Sequence, residues 1–189
     1  MPKTEAFRLL QEDRAAFQEF WRTGQSKPFL LERREPVYCV CDVLWTGIFQ
    51  HLAFALRCTL TGIAQSIPFS SAKVYLYRLM GARIGRHVYI APGAFLDPFY
   101  PQLITLEDDV FLGLGCRLLT HEYTATHFRI GRVTIGKGTV IGFHSSIRCG
   151  VKIGKKATIG CDSFVNKDVP DGATVGGIPA RILKDPSER

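Results

Sequence analysis

The sequence lacks the features that mark several common classes of protein. Neither charge-free half of its apolar stretch reaches the roughly 20 residues that a membrane-crossing helix needs. The six cysteines form no C-x-x-C pair, so we expect reduced thiols and no zinc site. Basic residues are scattered rather than grouped with aromatic residues, which argues against a nucleic-acid module. The first residues show no apolar signal core, so we expect a cytoplasmic protein.

Size and charge set the next limits. The 189 residues fit one principal domain with an appendage, and a 46% hydrophobic composition can supply a sizeable core. The formal net charge of +7 favours an anionic partner. A phosphorylated cofactor or an acidic membrane surface fits this charge better than a nucleic acid does.

The organising feature is a six-residue period between residues 135 and 170. An aliphatic residue opens each block, glycine usually follows, and the fifth residue is small or β-branched. The opening residues are Ile135, Ile141, Ile147, Ile153, Ile159 and Val165. Earlier blocks open at Ile84, Ile90, Leu96, Leu106, Leu112 and Leu118. A period of six does not match a helix but suits short strands that alternate with corners, so the pattern predicts a β-solenoid.

The period breaks after Leu118 and resumes at Ile135. A solenoid core cannot absorb such an insertion, so we expect residues 121–134 to project as a loop. The N-terminal segment shows a different pattern. Residues 4–22 have the spacing of an amphipathic helix, with Thr4 as a candidate N-cap and Gly24 just past its end.

The stretch 37–72 has only Asp42 and Arg57 as full charges. We expect two helices there that pack on the end or side of the solenoid and cover an exposed edge. The alternative is a hairpin that lies in a membrane interface, which the aromatic residues and the basic net charge favour.

The repeat, together with the tail VNKDVPDGATVGGIPARILK, resembles the hexapeptide-repeat acyltransferases, in particular the branch of maltose, galactoside and xenobiotic O-acetyltransferases. The resemblance implies a left-handed parallel β-helix with three flat sides and 18 residues per coil. The expected organisation has four parts. They are a helix and charged connector (1–36), an apolar helical segment (37–80), a catalytic β-helix (81–178) and a C-terminal tail (179–189).

The resemblance also implies a general base. His121 lies in L-T-H-E-Y, which is similar to a motif whose histidine deprotonates the acceptor in part of the family, and His127 is the second candidate. In the maltose and galactoside branch the histidine falls slightly later, near Tyr123. Asp97 and Glu122 either orient the base or bind an acceptor hydroxyl, or they are solvated carboxylates. Tyr123 is a further candidate for binding the acceptor.

The co-substrate implied by the resemblance is acetyl-coenzyme A, with no tightly bound cofactor and no metal. Positions that line the pantetheine tunnel in the family correspond to Gly142, Phe143, Gly160 and Cys161, and Phe143 is bulkier than usual. Positions that meet pantetheine and the phosphates correspond to Asn166, Lys167, Arg181 and Lys184. In the family these sites lie between the subunits of a homotrimer.

The sequence therefore predicts an acetyl-coenzyme A dependent O-acetyltransferase that acts on a sugar or glycan hydroxyl, with peripheral membrane contact through residues 37–72 as a further hypothesis. Two alternatives stay open at this point. One is a non-catalytic trimeric binding module. The other is a zinc enzyme that resembles the γ-carbonic anhydrases, with His87, His121 and His127 as ligands.

Overall fold

The computed structural model describes residues 15–23, 28–32, 48–124 and 127–184. Most of this chain winds through three sheets, and successive turns of the chain add one parallel strand to each. One antiparallel strand, β17, ends the second sheet. The first side contains β2 (Arg83–Ile84), β5 (Ile104–Leu106), β10 (Val133–Ile135) and β13 (Lys152–Ile153). The second side contains β3 (Tyr89–Ile90), β6 (Phe111–Leu112), β11 (Val140–Ile141), β14 (Thr158–Ile159), β16 (Thr174–Gly177) and β17 (Ala180–Lys184). The third side contains β4 (Phe95–Leu96), β7 (Arg117–Leu118), β12 (Ser146–Ile147) and β15 (Phe164–Val165).

The register between coils explains the six-residue period. On the second side, Ile90 pairs with Leu112, Leu112 with Ile141, and Ile141 with Ile159. These four side chains point into the solenoid, and each is at most 1% exposed. Because alternate strand residues face opposite directions, the residue before each of them points outward. The aliphatic residues that open the sequence blocks are therefore the inward rungs of the core.

The sides are joined by corners, which we name by the side that precedes them. The second corner, between the second and third sides, contains the glycine that follows the block-opening residue. A Cβ atom on Gly142 would lie 2.6 Å from the backbone nitrogen of Cys161 in the next coil. Side chains cannot fit at that separation, which explains the preference for glycine at this block position.

The insertion leaves the solenoid at the third corner of the second coil. It forms an antiparallel sheet in the order β1–β9–β8, with β1 (Phe29–Glu32), β8 (His121–Tyr123) and β9 (His127–Ile130). Residues 29–32 fall in the segment expected to be a charged connector. They form a strand instead, because their backbone pairs with the free edge of β9.

Three helices precede the solenoid: α1 (15–23), α2 (Ile48–Ser66) and α3 (Ser70–Leu79). Phe20 of α1 is buried in a second hydrophobic core with Tyr100, Phe128 and Ile130. The expected N-cap Thr4, the start of the predicted first helix, Gly24 and residues 37–47 lie outside the described residues. In the part of the chain that the structure describes, no helix is both long and apolar enough to span a bilayer.

Helix α3 closes the edge of the first coil with polar side chains. The Ile90 amide donates to Ser70 Oγ over 2.8 Å, and Lys73 Nζ donates to the Ile90 carbonyl over 3.2 Å. The Tyr77 hydroxyl donates to the Ala94 carbonyl over 3.2 Å. At the other end β17, which lies in the expected C-terminal tail, pairs antiparallel with β16. Helix α3 and β17 thus cover parts of the two ends of the stack.

Ile141→Ala should destabilise the protein by about 2–5 kcal/mol, because it opens a cavity between two packed rungs. The free energy of unfolding, measured by urea denaturation, checks this expectation. Val140→Ala is the matched control, since Val140 precedes Ile141 in the same strand but is 41% exposed. Equal losses in the two variants would contradict the inward register of β11.

Candidate active site

A histidine and a carboxylate meet where the insertion leaves the solenoid. Asp97 follows β4 in the first coil, and His121 begins β8 after the third-side strand of the second coil. Because Leu96 and Leu118 are paired in neighbouring coils, the residues after them lie at the same corner. His121 Nδ1 is 2.5 Å from Asp97 Oδ2. The sequence named both residues, and the structure brings them together.

Asp97 is almost completely buried, with 1% of its surface exposed. Its Oδ2 accepts hydrogen bonds from the Thr120 amide (2.9 Å) and hydroxyl (2.8 Å), and its Oδ1 accepts one from the Phe99 amide (3.0 Å). Burial raises the pKa of the Asp97 carboxyl, but the hydrogen bonds from His121, Phe99 and Thr120 outweigh burial and lower the pKa overall.

The ionised carboxylate fixes the protonation pattern of the imidazole. A carboxylate can only accept, so His121 donates its Nδ1–H to Asp97. In the neutral ring Nε2 is then the unprotonated nitrogen. The His121 side chain is 22% exposed, so its ring is not sealed in the core. This arrangement can remove a proton from a hydroxyl or amine that reaches Nε2.

Aromatic rings also pack against the imidazole of His121. The Phe99 ring lies 4.3 Å from the His121 ring, and the Tyr100 ring meets it edge-on at 6.2 Å. Phe54 of α2 packs on Phe99 at 4.2 Å, and Arg57 of α2 donates to the Phe99 carbonyl over 3.1 Å. Helix α2 thus supports the loop that orients the histidine.

The Glu122 side chain points away from the His121 side chain. Adjacent residues of β8 point to opposite faces, and Glu122 forms a two-pronged ion pair with Arg148 of the third coil. Burial raises the pKa of Glu122, but the hydrogen bonds from Arg148 lower it overall. Burial, with Glu122 close by, raises the pKa of Cys149 to about 12, so that this side chain remains a thiol. The expected role of Glu122 in orienting the base has no support in this geometry, since its carboxylate is directed to Arg148.

Two further residues were expected near the acceptor. His127 begins β9, and Tyr123 ends β8. His127 is exposed, and its amide donates to the Thr124 hydroxyl over 3.0 Å. It lies on the face of the hairpin that carries Glu122, because residue 129 is paired with Glu122 and alternate residues share a face. Tyr123 is exposed and shares the face of His121. A single acceptor hydroxyl is therefore not positioned between His121 and His127.

The residues expected at the pantetheine tunnel lie at the second corner. Gly142 and Phe143 follow β11, and Gly160 and Cys161 follow β14 in the next coil. Phe143 is 54% exposed, and Cys161 carries an exposed free thiol. The third side separates this corner from the third corner, where His121 lies. One chain therefore presents these two groups of residues at opposite edges of the same sheet.

Three of the residues expected near the pantetheine and phosphates line one cavity. Asn166, Lys167 and Arg181 surround a space of about 220 Å³ between the last coil and β17. Asn166 Oδ1 is buried there and has no hydrogen-bond partner. Lys184 is exposed farther along β17. The cavity wall also includes Asp168, whose carboxylate accepts a hydrogen bond from the Lys152 amide. The two cations suit a phosphate of a ligand, and the unused Asn166 acceptor suits an amide N–H.

The three histidines of the zinc alternative do not meet in the chain. His87 lies at the first corner, where its Nδ1 is 3.2 Å from Asp109 Oδ1. His121 is bonded to Asp97 at the third corner. Over residues 15–23, 28–32, 48–124 and 127–184, no three His, Cys, Asp or Glu side chains group as metal ligands.

Sequence reasoning missed the aromatic support and the partner of Glu122. Nothing in the sequence indicates that Phe99 and Tyr100 contact His121, because an aromatic residue in a loop can have many roles. Arg148 does stand out in the sequence. It shares with Asn166 a block position where Gly136, Gly142, Gly154 and Gly160 are found, and both exceptions follow third-side strands, at the corner from which the insertion leaves.

Comparisons with known proteins agree with this architecture. Residues 132–167 match the family described as hexapeptide repeat of succinyl-transferase. YvoF of Bacillus subtilis is 38% identical over 122 residues, which are 64% of this chain and 71% of YvoF. Galactoside O-acetyltransferase of Escherichia coli is 39% identical over 139 residues, with 60% of this chain and 68% of that protein covered.

A solved structure extends the likeness to the fold. The hexapeptide-repeat containing acetyltransferase VCA0836 of Vibrio cholerae, in complex with acetyl-coenzyme A, superposes with a TM-score of 0.63. It is 23% identical, and the match covers 74% of this chain and 90% of VCA0836. The chain belongs to the hexapeptide-repeat acetyltransferase family. Membership makes it an acyltransferase rather than a non-catalytic module.

Asp97→Asn should destabilise the protein by about 1.5–3 kcal/mol at neutral pH, because it removes a buried charged acceptor from several donors. The folded-state pKa of Asp97 is lowered, so the stabilisation is present above the unfolded pKa of about 4 and is lost as pH falls below it. Urea denaturation at a series of pH values measures the difference in the free energy of unfolding between the wild-type and Asp97→Asn proteins.

Asp162→Asn is the control, since Asp162 is an exposed carboxylate at the second corner. It should change the free energy of unfolding little. An Asp97→Asn protein as stable as the wild type at neutral pH, or a gap that does not narrow in acid, would contradict the assigned role.

Proposed function

We propose that this protein transfers the acetyl group of acetyl-coenzyme A to a hydroxyl of a sugar or glycan, with His121 as the general base. The Asp97–His121 pair carries the proposal, because a buried, ionised carboxylate holds the imidazole with Nε2 free. The E. coli relative is named for O-acetylation of galactosides, which supports a sugar hydroxyl as the acceptor.

The reaction needs one proton transfer and one acyl transfer. Nε2 of His121 removes the acceptor proton as the hydroxyl oxygen attacks the thioester carbonyl carbon. A backbone N–H stabilises the tetrahedral oxyanion. Its collapse expels the coenzyme A thiolate, which takes up the proton from the imidazolium. The products are an acetyl ester and free coenzyme A, and Asp97 stabilises the transient positive charge on His121.

The cavity near the last coil supports the choice of donor. Lys167 and Arg181 are suited to the phosphates of coenzyme A, and the buried Asn166 Oδ1 is suited to accept a pantetheine amide. The VCA0836 structure holds acetyl-coenzyme A, which supports the same donor for this chain. The family resemblance implies binding roles for five further residues. Lys184 would meet a phosphate of coenzyme A, and the pantetheine tunnel would be lined by Gly142, Phe143, Gly160 and Cys161.

The separation of the two corners supports a homotrimer. Gly142 and Gly160 lie at one edge of the third side, and His121 and Asn166 lie at the other. A neighbouring subunit that contributes its second corner would complete the site, as the family resemblance implies. The same resemblance supports left-handed coiling of the three-sided solenoid.

His121→Ala should lower the turnover number by about 10²- to 10⁴-fold, the usual contribution of a general base. The assay is release of free coenzyme A from acetyl-coenzyme A during a screen of sugar acceptors. His127→Ala is the matched control and should retain turnover within a few fold. If His127→Ala were the inactive variant, the base would be misassigned.

Lys167→Ala and Arg181→Ala should each weaken the binding of acetyl-coenzyme A by roughly ten- to a hundredfold, since each removes a charged donor. Calorimetric titration measures the dissociation constant before any acceptor is known. Lys137→Ala, an exposed lysine at the first corner, should leave the constant unchanged. The absence of binding to the folded wild-type protein would remove the proposed donor.

A further inference from the structure

Helix α2 presents its apolar side to solvent. At 100° per residue, five large side chains share an arc of about 100° on the helix surface. They are Ile48, Phe49, Leu52, Leu56 and Ile63, and their exposed fractions run from 47% to 82%. Phe69, which follows the helix, is 70% exposed. We name the five side chains on α2 the apolar arc.

The inward face of the same helix is also apolar, since Ala64 is fully buried, Leu60 packs on the core and Phe54 packs on Phe99. Arg57 donates to the Phe99 carbonyl, and Thr61 is buried with its hydroxyl 3.6 Å from Met80 Sδ. Ordinary surface helices bury one apolar face and direct polar and charged residues to solvent. Helix α2 is apolar on both faces, and the apolar arc is the face that the solenoid does not cover.

The charge around the arc favours an anionic partner. Between Asp42 and Asp97 the sequence has no Asp or Glu but five basic residues. Of these, Lys73 is buried and Arg57 is bonded inward to the Phe99 carbonyl. The remaining three are Arg78, Arg83 and Arg86, and Arg86 also lies 3.4 Å from the Asp108 carboxylate. Arg78 is on α3, which packs against α2, and Arg83 and Arg86 are exposed in the first coil beside α3. An apolar helix face next to basic residues is the pattern of helices that lie in an anionic lipid interface.

We propose that the apolar arc docks on an anionic membrane surface. The arc spans 48 to 63, about 22 Å of helix, so α2 is long enough to lie along the interface with its apolar side inserted. The inward side of α2 contacts the active-site loop through Phe54 and Phe99, and Phe99 contacts His121. Docking therefore holds the Asp97–His121 pair near the lipid surface. If the proposed function holds, acetyl transfer takes place there.

Flotation of the full chain with lipid vesicles tests the proposal. The wild-type protein should float with vesicles of phosphatidylcholine mixed with phosphatidylglycerol, and less with phosphatidylcholine alone. Added salt should weaken the binding, because it screens the basic residues. The double variant Leu52→Glu/Leu56→Glu should reduce vesicle binding at least tenfold, since it removes two inserted apolar side chains and adds repulsion. Both positions are 60% exposed, so the substitutions do not disturb the core.

Val140→Glu is the matched control, because it places the same charge on an exposed apolar position of the solenoid. It should bind vesicles as the wild type does. The proposal is overturned if folded wild-type protein, verified by circular dichroism, stays unbound to anionic vesicles, or if the double variant binds equally well. It is also overturned if Leu52→Glu/Leu56→Glu, but not Val140→Glu, changes the oligomeric state on size-exclusion chromatography. Such a change would show that a second copy of the chain covers the arc.

The test is independent of the proposed function. Vesicle binding is scored without turnover, and acetyl-coenzyme A binding is scored without lipid. Failure of docking leaves acetyl transfer to be judged by the His121 variants, and failure of acetyl-coenzyme A binding leaves the vesicle result unchanged.

Discussion

The hydrogen bonds between successive coils constrain every other feature of the structure. Each coil must repeat the register of the one before it. Leu118, for example, pairs with Leu96 of the previous coil and with Ile147 of the next. The inward positions are therefore aliphatic, and the second corner requires glycine where backbones approach closely. An extra segment can leave only at a corner without breaking the ladder. The insertion does so at the third corner, and the candidate active site lies at its base.

The same register brings the catalytic candidates together. Coils stack about 4.8 Å apart, so residues that follow paired strands become neighbours along one corner. Asp97 and His121 are neighbours for this reason, and Arg148 of the next coil meets Glu122 on the opposite face of β8. Asn166 lies at that corner in the coil beyond. Helix α2 adds a further layer, because it packs on Phe99 and presents its apolar arc outward. The candidate base, the cavity near the last coil and the proposed membrane surface thus all depend on one stacking geometry.

Periodicity identified the inward rungs residue by residue, because burial repeats every six residues. Ile90, Leu112 and Ile141 are examples, and all are fully buried. The pairing of Asp97 with His121 was harder to predict, since 24 positions separate the two residues and only the register joins them. The strand at 29–32 was missed because its pairing depends on the free edge of β9, which local sequence does not encode. The sequence leaves Glu122 open as a group that orients the base, binds the acceptor or is solvated. Adjacent residues of a strand point to opposite faces, and Glu122 pairs with Arg148 on the face away from His121.

The central claim is that Asp97 holds His121 in the tautomer that leaves Nε2 free. Two-dimensional ¹H–¹⁵N spectroscopy of protein labelled in its histidine side chains measures this directly, with the His121→Ala variant used to assign the signals. The account predicts that neutral His121 carries its proton on Nδ1 and that Asp97→Asn removes this preference. A His121 ring protonated on Nε2 in the wild-type protein would contradict it.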